Sequence, residues 1–159
     1  GEVIITGPMF IRPVHDTKVF AGEVIDHLEF DIWQEKVLGM EVGSETLEAD
    51  TEVMVSSVKD IFQEFRVFVV DNKVVTGSQY RLNGRLVERR LDKMQDIDVH
   101  LFVTKMIRKW QPCRAFVLDV ARVEKGLKVI EINNINSSGF YASDVKEYID
   151  AINKMEFYK

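Results

Sequence analysis

A single cysteine, Cys113, stands in the 159 residues of this chain. No intrachain disulfide can form, and a reducing cytosol is the compartment that fits. The expectation for Cys113 itself is a buried, inert thiol. Histidine is scarce as well. The 3 histidines, His15, His27 and His100, show no metal-ligand spacing and read as structural or surface residues. No apolar run reaches the roughly 18 residues of a membrane-spanning helix, and no signal peptide is visible. There is no excess of positive charge: 21 Lys and Arg face 26 Asp and Glu, a net charge of -5. That balance argues against a protein built to coat nucleic acid, although it leaves room for a local basic pocket. Internal repeats and low-complexity segments are missing too. The chain begins at Gly1 rather than Met and enters the strand-like run Val3-Ile4-Ile5 almost at once. We read it as a fragment whose N-terminal portion is absent.

What is present is enough for one domain with a real core: 46% of residues are hydrophobic and 10% aromatic. Met9 to Pro13 reads as a short buried strand ended by proline, and Phe20 to Ile25 as another. Asp26 to Met40 reads equally as helix or irregular chain, and Gly43 to Asp50 as an acidic loop. Glu52 to Ser56 is a strand. Phe65–Val70 and Val74–Tyr80 form a hairpin around Asp71-Asn72-Lys73, where Asn tolerates positive φ. Leu86-Val87-Glu88 adds a short strand. Asp96 to Trp110 reads as a helix, with Val99, Phe102, Val103, Met106 and Trp110 near one face, acids at its start and bases near its end. Arg114–Arg122 and Leu127–Asn133 form a second hairpin. Ser143 is the candidate cap of a final helix with the stripe Val145, Tyr148, Ile149, Ile152. The expected fold class is α+β, a mostly antiparallel sheet with flanking helices.

The second hairpin carries the chemistry. Glu131 and Asn133 are two apart, so they share a strand face. A three-residue loop at Glu124-Lys125-Gly126 pairs residue 123 with 127 and so sets Asp119 opposite Glu131. Opposed residues project to the same side. Two carboxylates and an amide oxygen then converge with no basic residue among them, a charge that a hard cation such as Mg²⁺ would offset.

The order of segments resembles the ATP-grasp superfamily, and within it the arginine- and lysine-named clade of phage and bacterial ATP-grasp domain proteins. The carrying segments are Phe10-Ile11-Arg12-Pro13 with Lys18, Glu64 to Val70, Ser78-Gln79-Tyr80-Arg81, Leu118-Asp119-Val120 and Val129 to Asn133. The resemblance implies a nucleotide cleft between two α+β lobes, with ATP and Mg²⁺ as cofactors. It implies Asp119, Glu131 and Asn133 as metal ligands, Glu64 as the ribose ligand, and Val53, Met54, Val55 and Ser56 as the adenine hinge. Arg12 stands where the superfamily usually has Lys. A planar fork replaces a compact charge there, and Lys18 is the alternative source of an ammonium for the phosphates. It also implies an N-terminal lobe that precedes the first motif and is not in this chain.

Glu64 and Arg66 share a face, and a surface ion pair is their plain reading. A turn at Asn72-Lys73 sets Glu64 opposite Arg81; a turn at Asp71-Asn72 sets it opposite Gln79. Arg66 and Arg81 are candidates for neutralising phosphate or an acyl-phosphate, against a structural pairing. The loop Ser137 to Tyr141 follows the metal strand and is either a plain connection or a substrate contact. Arg85, Arg89, Arg90 and Lys93 form a basic cluster, read as a solvated face or, less simply, a site for an anionic acceptor. The function these readings favour is an ATP-dependent, ADP-forming ligase. It joins a small-molecule or peptide carboxylate to an amine or thiol through an acyl-phosphate, in the cytoplasm and without membrane or nucleic acid. The alternatives are a nucleotide-binding module that does not ligate, and a phosphotransferase acting on a hydroxyl or protein.

Overall fold

β-Branched and aromatic runs bounded by Asn, Asp and Gly turns give this chain more strand than helix. The computed structural model describes residues 6–14, 20, 22–38, 41–42, 45–46 and 51–155. Lys18, with His15, Asp16 and Thr17, lies outside the described residues, as does most of the acidic segment 43–50. The chain divides into two units, Gly1–Lys59 and Asp60–Lys159. No described helix is long and apolar enough to cross a membrane.

In the first unit, β1 (Pro8–Pro13) lies between β2 (Glu23–Asp26) and β5 (Val53–Ser57), all antiparallel. A two-stranded ribbon, β3 (Glu41–Val42) with β4 (Glu45–Thr46), stands apart in the hydrogen bonding. The ambiguous segment after β2 is helical. Asp26 accepts from Leu28 N at 3.0 Å and caps a short 3-10 turn, His27–Glu29, which runs into α1 (Phe30–Leu38). Trp33 and Val37 of α1, one turn apart, bury against Met9, Ile11, Phe20 and Ile25. Packing of this kind decides the helix, which the acid-rich sequence alone leaves open.

In the second unit five antiparallel strands run in the order β10-β9-β6-β7-β8. They are β6 (Ile61–Val70), β7 (Lys73–Leu82), β8 (Arg85–Arg90), β9 (Ala115–Val123) and β10 (Gly126–Asn133). Asp71 and Asn72 both take positive φ, 46° and 64°, and Asn83 and Gly84 repeat this at 47° and 75°. Both hairpins therefore close with the two-residue turns that match strand twist. Phe65, Val67 and Val69 on one sheet face join Phe116, Leu118 and Val120 of β9 under α2 (Ile97–Lys109), whose Val99, Val103 and Ile107 face the sheet. Each such buried side chain stabilises the fold by about 1.5–3 kcal/mol. On the other face Phe68, Val70 and Val117 pack with Tyr148 and Met155, Tyr148 coming from α3 (Val145–Asn153).

Several local expectations change. Asp144, not Ser143, caps α3, accepting from Glu147 N at 2.9 Å. Asp96 precedes α2 without capping it, because both its oxygens accept from Arg89 at 2.7 Å. Arg90 reaches Asp144 and Glu147 at 2.9 and 2.8 Å, so the basic cluster is largely consumed in ion pairs. Cys113 is exposed rather than buried. Two turn readings also change in detail. The β9–β10 turn has two residues, Glu124-Lys125, with Val123 opposite Gly126. A bulge at Ile130 then restores Asp119 to its place opposite Glu131. The β6–β7 turn is Asp71-Asn72, yet two bulges move Glu64 from Gln79 to Arg81.

Gly77 marks the tightest approach in the sheet. A Cβ there would meet the Leu91 side chain and stand 2.8 Å from the Arg66 carbonyl oxygen. Gly77→Ala is expected to lower stability by about 1–3 kcal/mol through overpacking, read as a lower denaturant midpoint with an unchanged slope. An unaltered midpoint would show that Leu91 and the β6 backbone yield freely.

Candidate functional site

The face of β6 that carries Phe68 and Val70 turns polar at Arg66 and Glu64. Because β6 pairs with β9, Arg66 lies directly opposite Asp119. Its Nε donates to Asp119 Oδ1 at 2.9 Å and its Nη2 to Oδ2 at 2.7 Å. The two side chains are only 13% and 3% exposed. A basic residue thus does sit among the acids, contrary to the expectation from the β9–β10 hairpin alone, which leaves out the neighbour on the other side of β9. Glu131 lies opposite Asp119 and Asn133 opposite Val117, so both project from the same face as Asp119. Glu131 is exposed, and no cation among the described residues pairs with it.

Glu64 is fixed from β7. Tyr80 donates its hydroxyl hydrogen to Glu64 Oε2 at 2.7 Å, and Arg81 stands 3.8 Å from Oε1. The Glu64–Arg66 surface pair does not form; each residue takes a different partner. Burial first, and then the bond to Glu64, pushes the Tyr80 phenol far above its ordinary range. The Arg66 guanidinium is held more firmly protonated, mainly by its bond to Asp119. Burial pushes the Asp119 carboxyl up, Arg66 opposes this, and the charges of Glu131 and Glu64 add to the rise. Three acids therefore share one electrostatic neighbourhood, with Arg66 at its centre.

The segment after β10 is laid along β7 by a series of contacts. Gly139 O accepts from Arg66 Nη1 at 3.3 Å. Phe140 stacks on Phe68 with centroids 4.7 Å apart, and Tyr141 on Tyr80 at 4.8 Å. Ala142 N donates to Ser78 Oγ at 3.3 Å and Asp144 N to Thr76 Oγ1 at 2.9 Å. The Arg66 guanidinium carbon lies 5.7 Å from the Tyr80 ring and 5.1 Å from the Tyr141 ring, within cation–π range. Tyr141 takes φ 49°, an uncommon state for a bulky residue. The stack and the flanking bonds over-determine it.

In the first unit Arg12 of β1 is exposed and lies opposite Met54 of β5, with Ile11 opposite Val55 and Phe10 opposite Ser56. Arg12 and the Val53–Ser56 strand are therefore neighbours. Tyr80 and Tyr141 are the members that sequence reasoning misses as partners. A signal exists: Glu64, Arg66, Ser78 and Tyr80 are polar groups interrupting otherwise apolar buried strands.

Antiparallel sheets with flanking helices, a Glu-x-Asn strand end and an acid on the adjoining strand define the class to which this protein conforms. The chain belongs to the ATP-grasp superfamily: the model for an ATP-grasp domain of the arginine- and lysine-named clade, family 2, matches residues 4–151. A comparison with curated proteins finds no match. Solved structures that it resembles include D-alanine–D-alanine ligase from Bacillus anthracis complexed with ATP, with a TM-score of 0.54 and 14% identity over 80% of this chain and 39% of that one. The ATP-grasp ligase PsnB complexed with minimal precursor aligns with a TM-score of 0.60 and 16% identity over 93% of this chain and 48% of that one. PsnB with a phosphomimetic precursor variant, Mg and ADP gives 0.52 and 15% over 85% and 38%. These identities speak for a shared fold. The chain spans less than half the length of each of these proteins.

Tyr80→Phe keeps the stacked ring and deletes the hydroxyl. It is expected to cost about 1 kcal/mol in denaturant unfolding, the ordinary worth of one hydrogen bond. Unchanged stability would mean that Tyr80 and Glu64 do not bond in solution.

Proposed function

We propose that this chain is the nucleotide-handling part of an ATP- and Mg²⁺-dependent ligase that joins a carboxylate to an amine or thiol. The observation that carries the reading is the polar sheet end. Glu131 and Asn133 present open oxygens beside Asp119, and the paired cation Arg66 lies next to them, in a chain of ATP-grasp family. Oxygen donors of this kind suit Mg²⁺, which keeps several waters and shares phosphate oxygens. Asp119, Glu131 and Asn133 form the metal-holding end, Asp119 with Arg66 as its partner. Mg²⁺ bound there would offset phosphate charge. Glu64, fixed by Tyr80, takes the ribose hydroxyls. Arg12, with Lys18 as the alternative, contacts the phosphates, and Val53, Met54, Val55 and Ser56 contact the adenine.

In the reaction proposed, a substrate carboxylate oxygen bonds to the γ-phosphorus and the bond to the β–γ bridging oxygen breaks, releasing ADP. The amine nitrogen or thiolate sulfur then bonds to the acyl carbon, phosphate leaves, and the attacking amine or thiol loses its proton. Arg66 and Arg81 offset the charge that gathers on the transferring phosphoryl group. The site requires little covalent chemistry from the protein; positioning and fixed positive charge do the catalysis. Cytoplasmic location and a small-molecule or peptide carboxylate belong to the same proposal.

Glu131→Ala or Asn133→Ala is expected to abolish ADP release from Mg·ATP with a productive acceptor panel of amino acids and peptides. Far-UV circular dichroism should be unchanged, since both residues lie on an edge strand. Normal ADP release by Glu131→Ala would overturn the metal assignment. Nucleotide binding without turnover across the panel would favour a non-ligating module, and a stable phosphorylated product a phosphotransferase.

A further inference from the structure

We propose that Arg66 stands in for a metal ion at Asp119, so that the site holds a single divalent cation, on Glu131 and Asn133, and Asp119 does not ligate it. The inference rests on the nucleotide reading above and narrows it.

The family resemblance implies an acid and a Glu-x-Asn pair that together hold one or two cations. The acid here does not fit that role. Both Asp119 oxygens accept from one guanidinium, at 2.9 and 2.7 Å. This is the fork-on-fork arrangement in which a carboxylate is best satisfied by arginine. A cation on Asp119 would have to displace Arg66 or share the carboxylate with it at close range, against the repulsion of two positive centres. Space points the same way. Asp119 is 2% exposed overall, whereas Mg²⁺ dehydrates reluctantly and keeps several waters in its shell. Glu131 is exposed and free of cations among the described residues, so a hydrated ion can reach it.

Arg66 is also not free to leave. Its third contact is Gly139 O at 3.3 Å, and the rings of Tyr80 and Tyr141 lie within 5.7 and 5.1 Å of its guanidinium carbon. Five donors in a fixed fork leave Nη hydrogens for a phosphate oxygen after Asp119 and Gly139 are served. Arg66 therefore delivers a permanent, pH-independent positive charge where a metal ion would otherwise be recruited. Asp119 becomes a positioning residue that acts through Arg66.

The test is the stoichiometry of Mn²⁺, titrated into the protein alone and with a β,γ-imido ATP analogue, followed by paramagnetic resonance of the free ion and by calorimetry. A single Mn²⁺ per bound analogue is expected in the wild type. Glu131→Gln should weaken that Mn²⁺ by about 100-fold or more, as loss of a charged direct ligand does. Asp119→Asn should weaken it by less than about tenfold, within the range of residues outside the metal's own shell. Two Mn²⁺ per analogue in the wild type would overturn the inference, and that measurement needs no variant to fold. Equal losses in the two variants would overturn it as well. Failure of the analogue to bind with or without Mn²⁺ would remove the nucleotide reading itself, and the inference with it.

Discussion

The bidentate pair of Arg66 and Asp119 is the constraint on which the polar half of the second unit depends. Two charges are held almost wholly out of water at the middle of a five-stranded sheet. Desolvating them costs several kcal/mol per ion, and only good geometry with further bonds offsets that. The geometry comes from strand pairing: β6 and β9 set the two residues face to face. The further bond comes from the Gly139 carbonyl. The segment 139–144 is thereby drawn onto β7, where the Phe140 and Tyr141 rings and the Ala142 and Asp144 amides each find a partner. One strand register thus orders a connection far along the chain and turns it into a wall of the site.

The same sheet face does two jobs. At Phe68, Val70 and Val117 it is apolar and covered by residues that include Tyr148 of α3. At Arg66, Glu64 and Asp119 it is charged. The opposite face is apolar over the same stretch and sealed by α2. A rigid apolar layer beneath a charged one is a good support for phosphate chemistry, since fixed dipoles and charges need no reorganisation during reaction.

Much of this is legible in the residues. The antiparallel sheets, α2, α3 and the turns at Asp71-Asn72 and Asn83-Gly84 follow from periodicity and from residues that accept positive φ. The opposition of Asp119 and Glu131 follows from the sequence only through a wrong intermediate. Counting from a three-residue loop gives that pairing, whereas the molecule reaches it by a two-residue turn plus a bulge at Ile130. Bulges in β6–β7 likewise undo the register that the turn implies for Glu64. A bulge depends on how a strand must twist against its neighbours, which local sequence does not encode. The partner of Asp119 is not legible either. Arg66 and Asp119 are 53 residues apart, and only the long-range pairing of β6 with β9 joins them. Cys113 shows the converse limit: its type suggests burial, but it sits on the exposed connection after α2, where packing has nothing to offer it.

The most direct test of the account is a double-mutant cycle in denaturant unfolding, using Arg66→Gln, Asp119→Asn and the double variant. A buried, bidentate pair that organises its surroundings predicts a coupling energy of at least about 2 kcal/mol, with each single variant costing about 3–5 kcal/mol and the double variant less than the sum of the two. A coupling energy below about 0.5 kcal/mol, the level of independent sites, would contradict it.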